Sequence, residues 1–225
     1  MKLGIMCATE RELNPLVNKL ENHQTENYIC RTFHTGILGG IDTVAIIGGV
    51  GKVNGSITAQ ALIEHYKIDK LIFTGVAGGL DDSLKVRDVI IATEIAYHDI
   101  PMDLVNNENM FDGMPEKHFV PDSELIEICR NLDSGLRFGT IITGDEFISG
   151  ARKHELMKRF HPLCVDMESA AVAHVCWFYN IPLLDIRSLS DTAEDDAMDT
   201  YEANAAASGL SAIAVVLKVV EKLSK

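Results

Sequence analysis

Short apolar runs rich in valine and isoleucine alternate with amphipathic segments along almost the whole of this 225-residue chain. The runs are bounded by Gly, Asp or Asn, and they are too apolar for strands that expose one face to water. Strands of this kind belong to a sheet that helices cover on both faces. The pattern predicts strands at 2–7, 42–49, 70–75, 87–97, 137–143, 163–167 and 181–189.

Helical periodicity fills the intervals between these runs. The predicted helices are 53–65, 123–131, 153–160, 168–179 and 202–225. Alternating strands and helices favour an α/β fold, a three-layer α/β/α sandwich. Because no linker, low-complexity segment or repeat divides the chain, we expect one domain over residues 1–225. The segment 100–121 has little periodicity and is expected to be a long loop, a kind of segment that is often functional.

Charge and cysteine content exclude several classes of partner. The 20 basic and 33 acidic residues give a formal net charge of −13, which repels phosphate backbones and anionic lipids. We find no uncharged apolar run of the ~20 residues that span a bilayer. Five widely spaced cysteines without C-x-x-C pairing, and histidines without a ligand pattern, indicate neither a disulfide framework nor a metal site. We therefore expect a cytoplasmic protein without nucleic-acid or membrane partners.

Three segments place acidic, aromatic or hydroxyl side chains just after predicted strands, where open α/β sheets bind ligands. They are 143–150 (TGDEFISG), 165–171 (VDMESAA) and 187–191 (RSLSD). Glu168 and Asp191 each adjoin apolar sequence, and a low-dielectric environment raises the pKa of a carboxyl group toward neutrality. Such a pair suits general acid catalysis. Alternatively, Glu168 is an acid favoured by the helix dipole, and Ser190 and Asp191 form a turn or N-cap.

Two glycine motifs require separate interpretation. The segment 48–53 (GGVGKV) follows a strand and opens a helix, but the dinucleotide pattern fails at Asn54, and Val53 replaces the Ser or Thr of a P-loop. The sequence thus supports neither dinucleotide nor triphosphate binding. Gly75, Gly78 and Gly79 either allow a turn of the chain to approach a ligand closely or simply form a tight turn.

These segments, together with 2–12 (KLGIMCATERE), 49–53, 74–79 and 97–99 (YHD), resemble the 5′-methylthioadenosine/S-adenosylhomocysteine nucleosidases of the purine nucleoside and uridine phosphorylase superfamily. The likeness runs nearly end to end. It implies a nucleoside phosphorylase-like fold with a mixed, partly barrel-like sheet. It also implies an N-ribosyl hydrolase that releases adenine from these two nucleosides in methionine salvage and methyl-cycle detoxification, works without a cofactor and forms a homodimer.

The resemblance further implies roles for the catalytic residues. Asp191 is the acid that protonates N7 of the purine, and Ser190 orients it. Arg187 lies beside Asp191 and supports the transition state and the water. Glu12 is the base that holds the attacking water. As an alternative for Glu12, Thr9-Glu-Arg-Glu12 fits a capping box, although Pro15 predicts that the helix begins only near residue 14.

The implied substrate-binding residues are Val76, Gly78, Phe147, Ile148, Met167, Glu168 and Tyr201. Glu168 would accept hydrogen bonds from the ribose hydroxyls. Phe147 would stack on adenine, and the main chain of Ile148 would read the Watson–Crick edge of the base. Met167 would pack under the sugar. For Phe147 and Met167 the alternative is ordinary core packing.

Three other functions are each compatible with part of the sequence. A nucleoside phosphorylase needs a phosphate pocket, yet Phe73 and Val76 occupy positions at which those relatives carry phosphate ligands, and a buried phosphate without paired cations is costly. Val76 and Tyr201 also depart from the usual nucleosidase residues near the 5′ substituent, so an aminodeoxyfutalosine- or 5′-deoxyadenosine-preferring nucleosidase stays an alternative. A non-catalytic nucleoside-binding protein is expected to lack one carboxylate, and all three are present.

Overall fold

The computed structural model describes residues 1–100, 118–132 and 135–225, which form nine strands and six helices. The strands are β1 (Lys2–Cys7), β2 (Glu21–Tyr28), β3 (Arg31–Leu38), β4 (Ile41–Ile47), β5 (Lys70–Gly79), β6 (Val89–Tyr97), β7 (Arg137–Thr143), β8 (Cys164–Asp166) and β9 (Leu183–Asp191). The helices are α1 (Glu10–Val17), α2 (Lys52–Glu64), α3 (Ser123–Arg130), α4 (Ala151–Phe160), α5 (Ser169–Tyr179) and α6 (Ala197–Leu223).

The nine strands form one mixed sheet whose second half closes on itself. Their order is β2-β3-β4-β1-β5-β8-β7-β6-β9, and β9 pairs again with β5. Strands β5, β8, β7, β6 and β9 therefore form a closed five-stranded barrel, while β2, β3, β4 and β1 extend from it as an open sheet. Parallel pairs dominate the centre, and the β2–β3 and β3–β4 pairs are antiparallel. The partly barrel-like α/β fold implied by the resemblance is confirmed.

Helices cover both faces of this sheet. One core lies between the sheet and α2 and α5, where Leu62 and Val172 are fully buried. A second core lies between the opposite face and α1, α3 and α6, and includes Leu13 and Val216. A smaller cluster around Leu156 seats α4 against the barrel. The three-layer arrangement follows from strands that are apolar on both sides.

Helix α6 is long and apolar enough to cross a bilayer by length and composition. Half of its most apolar window is buried against other parts of the protein. Val216, Val219 and Val220 pack in the core beside α1 and α3. Packing within the protein thus accounts for the apolar character of this helix.

Several boundaries differ from the predictions. The β2–β3 hairpin is not predicted, because every residue of β2 is exposed and the strand carries no alternation. Helix α1 begins at Glu10 and contains Pro15, so the expected start near residue 14 is wrong. Strand β5 continues to Gly79, so the glycines of 75–79 lie in a strand rather than a turn. Most of the predicted 100–121 loop, residues 101–117, lies outside the described residues.

Candidate active site

One pocket lies at the ends of β1, β5 and β9, beside β8 and the start of α5. Ten of the eleven residues predicted for the site line it. They are Glu12, Val76, Gly78, Phe147, Ile148, Met167, Glu168, Ser190, Asp191 and Tyr201. The exception is Arg187. Residues separated by up to about 190 positions in the sequence thus meet in one place, as expected at strand ends of an α/β sheet.

Glu12 reaches the pocket from the first turn of α1. Its Oε2 accepts the N–H of Thr9 at 2.7 Å, and its Oε1 accepts the N–H of Val76 at 2.9 Å. The first bond is half of a capping box, and the second ties the same carboxyl group to β5. Glu12 therefore completes the capping box and also lines the pocket, and its role as the base stays a prediction. Burial raises the pKa of Glu12, while the backbone N–H donors and the charge of Arg187 oppose the rise.

Asp191 faces the pocket because of a bulge in β9. Val76 of β5 pairs with Ser188, but two residues further along β5 the register slips, and Gly78 pairs with Asp191 rather than with Ser190. Side chains alternate between the faces of a strand, so the extra residue moves Asp191 onto the face that carries Val76. A Cβ added at Gly78 would lie 3.0 Å from Asp191 Oδ1, which shows that the two residues share a face.

Short contacts fix the Asp191 carboxyl group. Ser190 Oγ lies 3.0 Å from Oδ2, and the N–H of Ala193 donates to Oδ1 at 2.9 Å. Burial is the largest influence on Asp191 and raises its pKa, in the direction predicted from the flanking apolar sequence. The hydroxyl of Ser190 is thus placed to orient the acid.

Glu168 occupies the N-cap position of α5, and its side chain is buried without making a capping hydrogen bond to the helix. Its Oε1 accepts the N–H of Gly51 at 2.8 Å. Burial, followed by the negative charge of Asp166, raises the pKa of Glu168. Gly51 has a φ of +95°, a conformation that favours glycine, and the Asp145 carboxylate accepts the next N–H, from Lys52. The glycine turn after β4 therefore donates a backbone hydrogen bond to the Glu168 carboxyl group.

Arg187 does not lie beside Asp191, and that expectation is wrong. The parallel pairing places it on the opposite face of β9, where its side chain is fully buried. Its Nε lies 3.1 Å from Asp166 and 3.0 Å from Asp185, and Nη2 donates to Ser169 Oγ at 2.9 Å. Asp185 and Asp166 raise the pKa of Arg187 and keep it charged although it is buried.

One part of Arg187 still approaches the site. A Cβ added at Gly75 would lie 2.7 Å from Arg187 Nη1 and 2.8 Å from Glu12 Oε1, so both atoms converge on the space that this glycine leaves. Nη1 has no hydrogen-bond partner among the described residues. A buried donor without a partner requires water or a ligand.

Two aromatic rings form the mouth of the pocket. The rings of Phe147 and Tyr201 meet edge to face with centroids 6.2 Å apart. Phe147 is 40% exposed, which excludes the core-packing alternative for this residue and leaves its face available to a flat ligand. Ile148 and Met167 line the wall behind it, with Ile148 buried.

Sequence reasoning missed several residues. Asp166 lies two positions before Glu168 and accepts hydrogen bonds from Thr143 Oγ1 at 2.6 Å and from Ser169, so it fixes the start of α5. An acid at the end of an apolar strand was the available signal. The lining residues Val50 and Met198 carry no chemical signal and could not have been selected.

The pocket has an unusual charge balance. In the described part of the chain its walls contain carboxylates and no lysine, arginine or histidine. Three buried carboxyl groups with raised pKa values face one small space. Such a site can donate a proton, hold a water and bind hydroxyl groups, and it is a poor host for an anion.

Comparisons with known proteins identify relatives over nearly the whole chain. Residues 2–221 match a model of the phosphorylase superfamily. A 5′-methylthioadenosine/S-adenosylhomocysteine nucleosidase from Bacillus subtilis is 35% identical, over 99% of this chain and 100% of the relative. The structure of such a nucleosidase from S. pneumoniae with the transition-state inhibitor MT-ImmA gives a TM-score of 0.92 at 32% identity, over 99% and 100% of the two chains. The futalosine hydrolase of Helicobacter pylori gives 0.92 at 25% identity, over 99% and 98%.

Proposed function

We propose the reaction of this chain from one premise: the chain belongs to the phosphorylase superfamily, within which it is a relative of the 5′-methylthioadenosine/S-adenosylhomocysteine nucleosidases. It hydrolyses the N-glycosidic bond of these two nucleosides and releases adenine and the thioribose product. The observation that carries the proposal is the convergence of Glu12, Glu168 and Asp191 on one pocket that lacks a cation among the described residues. The reaction needs a proton donor on one side of the sugar and a water on the other.

Asp191 supplies the proton. Departure of adenine leaves negative charge on the base, and protonation at N7 removes it. Burial raises the pKa of Asp191, which favours the protonated form at the moment of transfer. Phe147 stacks on the base, and the Ile148 main chain recognises its edge. Adenine is thus held against the acid.

Glu12 holds the attacking water. Each of its oxygens accepts one backbone N–H, which fixes the carboxylate and leaves lone pairs for the water. The free Nη1 of Arg187 converges on the same space and supplies a donor to that water. Glu168 accepts the ribose hydroxyls, and Met167 packs against the sugar. This arrangement places carboxyl oxygens around the developing oxocarbenium ion.

Hydrolysis rather than phosphorolysis follows from the distribution of cations. The guanidinium of Arg187 is already paired with Asp166 and Asp185, and the described pocket wall offers no second cation for a phosphate. The test is to incubate the purified protein with methylthioadenosine, with and without phosphate, and to analyse both products. Adenine at equal rates with a free sugar supports the proposal. Phosphorylated sugar identifies a phosphorylase instead.

A nucleosidase with another 5′ preference is the second candidate. The similarity to a futalosine hydrolase of equal TM-score favours it, as do Val76 and Tyr201 at the sugar side and the mouth of the pocket. Parallel assays with methylthioadenosine, S-adenosylhomocysteine, 5′-deoxyadenosine and aminodeoxyfutalosine rank the substrates by kcat/KM. The adenine and ribose contacts are common to all four.

We also infer a homodimer. Val50, Val53 and Ile57 at the start of α2 and Phe178 at the end of α5 are half or more exposed. The two helices are in contact, since Gln60 bonds to Tyr179, so these side chains can form one apolar surface. Val50 also lines the pocket, and a second copy seated here would border the substrate.

The long loop and the resemblance also predict that the partner's 100–120 loop contributes to the 5′ pocket, and most of that loop, residues 101–117, lies outside the described ranges. Sedimentation of Val53→Asp beside the wild type tests the dimer. A monomeric variant with a raised KM supports it, and a monomeric wild type of full activity contradicts it.

The cytoplasm is the proposed location, and methionine salvage the proposed pathway. All five cysteines are free, and Cys7, Cys129, Cys164 and Cys176 are buried. Free thiols suit a reducing compartment. The test is a thiol titration of the protein after purification without reductant and denaturation. We expect five thiol equivalents per chain.

A further inference from the structure

Lys153 is the one buried lysine among the described residues. It belongs to the first turn of α4, and its side chain is 6% exposed. Burying an ammonium group is costly unless donors and charge are both paired. The proposed reaction assigns no task to this residue, which lies outside the pocket wall. Its burial therefore requires another reason.

The ammonium group joins three segments of the chain. It donates to Asp82 Oδ1 at 2.9 Å in the segment after β5, to the carbonyl of Thr192 at 3.1 Å, and to Glu194 Oε1 at 2.6 Å. An ammonium has three donors, and all three are used. Two of them hold the turn that directly follows Asp191.

That turn supports the carboxyl group of Asp191. Its Ala193 N–H is the backbone donor to Asp191 Oδ1, and Ala193 has a φ of +53°, which is unfavourable for alanine. The Ala193 carbonyl accepts the N–H of Gly150, one residue before α4. Residues at the start of α4 thus hydrogen-bond to all three residues of the turn, 192–194. Without these hydrogen bonds Ala193 is expected to relax from its unfavourable φ, and its N–H would then leave Asp191.

We propose that Lys153 is a positioning residue for the acid step: it holds the 192–194 turn so that Ala193 fixes the Asp191 carboxyl group against the leaving base. This inference rests on the proposed function, because it assumes that Asp191 protonates the base. It adds a residue that touches neither substrate nor water.

The test compares two leaving groups. Adenine needs a proton to depart, whereas 4-nitrophenolate leaves with the bonding electron pair as a stable anion while water bonds to the anomeric carbon. Lys153→Met keeps the length of the side chain and removes its donors. With methylthioadenosine we expect kcat to fall on the order of tenfold or more. With the 4-nitrophenyl 5-methylthioriboside we expect a change of less than about threefold, because that reaction bypasses the acid.

Controls separate positioning from general damage. Lys158→Met, on an exposed site of the same helix, is expected to leave both substrates unaffected. Lys153→Arg should recover part of the lost rate. If Lys153→Met fails to fold, the exposed Glu194 offers a second variant. Glu194→Gln weakens the hydrogen bond between Lys153 and the turn, and we expect a smaller loss of rate that is confined to methylthioadenosine. Equal losses on both substrates, or no loss on either, overturn the proposal.

The proposed function fails in a different way. If the wild type releases no adenine from any adenine nucleoside, the reaction is wrong irrespective of Lys153. If Asp191→Asn lowers the rates with both substrates equally, Asp191 is not the acid. The proposed positioning role of Lys153 then fails as well. A third outcome is that Asp191→Asn loses rate only with methylthioadenosine, whereas Lys153→Met loses rate equally with both substrates. Asp191 then remains the acid, and only the positioning role of Lys153 is refuted.

Discussion

Glu12, Glu168 and Asp191 are all buried in the pocket, and burial raises the pKa of each, so the differences between them come from their neighbours. Glu12 accepts two backbone N–H groups, which suit a carboxylate that holds water. Asp191 is supported by one N–H and a hydroxyl and lies on the strand face opposite Arg187. Environments of this kind divide acid from base among like residues.

We expect Asp191→Asn to lower kcat by about 10²-fold or more, because it removes the proton donor and keeps the shape and most hydrogen bonds. Binding of a methylthioadenosine analogue should change little. Steady-state kinetics with calorimetric titration measures both quantities. Near-normal turnover would show that another group protonates the base.

Tyr201→Phe is expected to change the preference for the 5′ substituent. Its hydroxyl is the polar group that the residue adds at the mouth of the pocket, next to Phe147. Removing it should shift selectivity toward methylthioadenosine and away from substrates with a polar 5′ group, by about 1–3 kcal/mol at most. Ratios of kcat/KM for methylthioadenosine, S-adenosylhomocysteine and 5′-deoxyadenosine test this. Unchanged ratios would limit Tyr201 to packing.

At the scale of elements, charged groups occupy the space where side chains at Gly75 and Gly78 of β5 would lie. At Gly75 a Cβ would meet Arg187 and Glu12 under 3.0 Å, whereas at Gly209 of α6 the nearest atom, of the same Glu12, is at 3.4 Å. The two glycines thus border the Glu12 side chain with different clearance. A methyl group at Gly209 makes ordinary contact, whereas a methyl group at Gly75 requires Arg187 or Glu12 to move.

This difference gives a matched pair of substitutions. Gly75→Ala should lower kcat/KM at least about tenfold, because Glu12 or Arg187 has to move from the water site. Gly209→Ala should keep activity near normal and stabilise the helix by up to about 1 kcal/mol. Kinetics and thermal unfolding of both variants provide the comparison. Full activity in Gly75→Ala would contradict the position given to Glu12.

The elements also show which features a sequence reveals. Buried strands such as β1 and β7 are predicted to the residue, because their apolar runs are set by burial on both faces. Strand β2 is lost because exposure on every residue erases the pattern. The sequence indicates Asp191, because it is an acid at a strand end. The prediction that Arg187 lies beside it is wrong, because the one-residue bulge between them has no signature in the sequence.

For the whole molecule, the buried carboxyl groups link stability to pH. Burial raises the pKa of Glu168 from its ordinary value near 4.5 to about 8. Between these values the folded protein binds a proton that the unfolded chain has lost, so stability is greatest below the lower pKa and falls as the pH rises through the higher one. The active site thus destabilises the fold at neutral and alkaline pH.

Glu168→Gln should relieve this cost. The amide keeps an oxygen for the Gly51 N–H and carries no charge. We expect the melting temperature to fall less steeply from pH 5 to pH 8 than in the wild type, with a gain at pH 8 of about 2–4 °C for each kcal/mol recovered. Activity should be lost. Calorimetry across this range decides, and parallel pH profiles of the two proteins would refute the linkage.

The bulge in β9 decides which side chains this strand presents to the pocket. Arg187 and Asp191 point to opposite faces of one strand only because of the single additional residue at Ser190. If Ser190 were deleted, the acid would follow Leu189 directly, pair with Gly78 in regular register and keep its face, but the hydroxyl that contacts its carboxyl group would be lost. The bulge therefore lets two consecutive residues, an acid and the hydroxyl beside it, both line the pocket, which strict alternation along a strand does not allow.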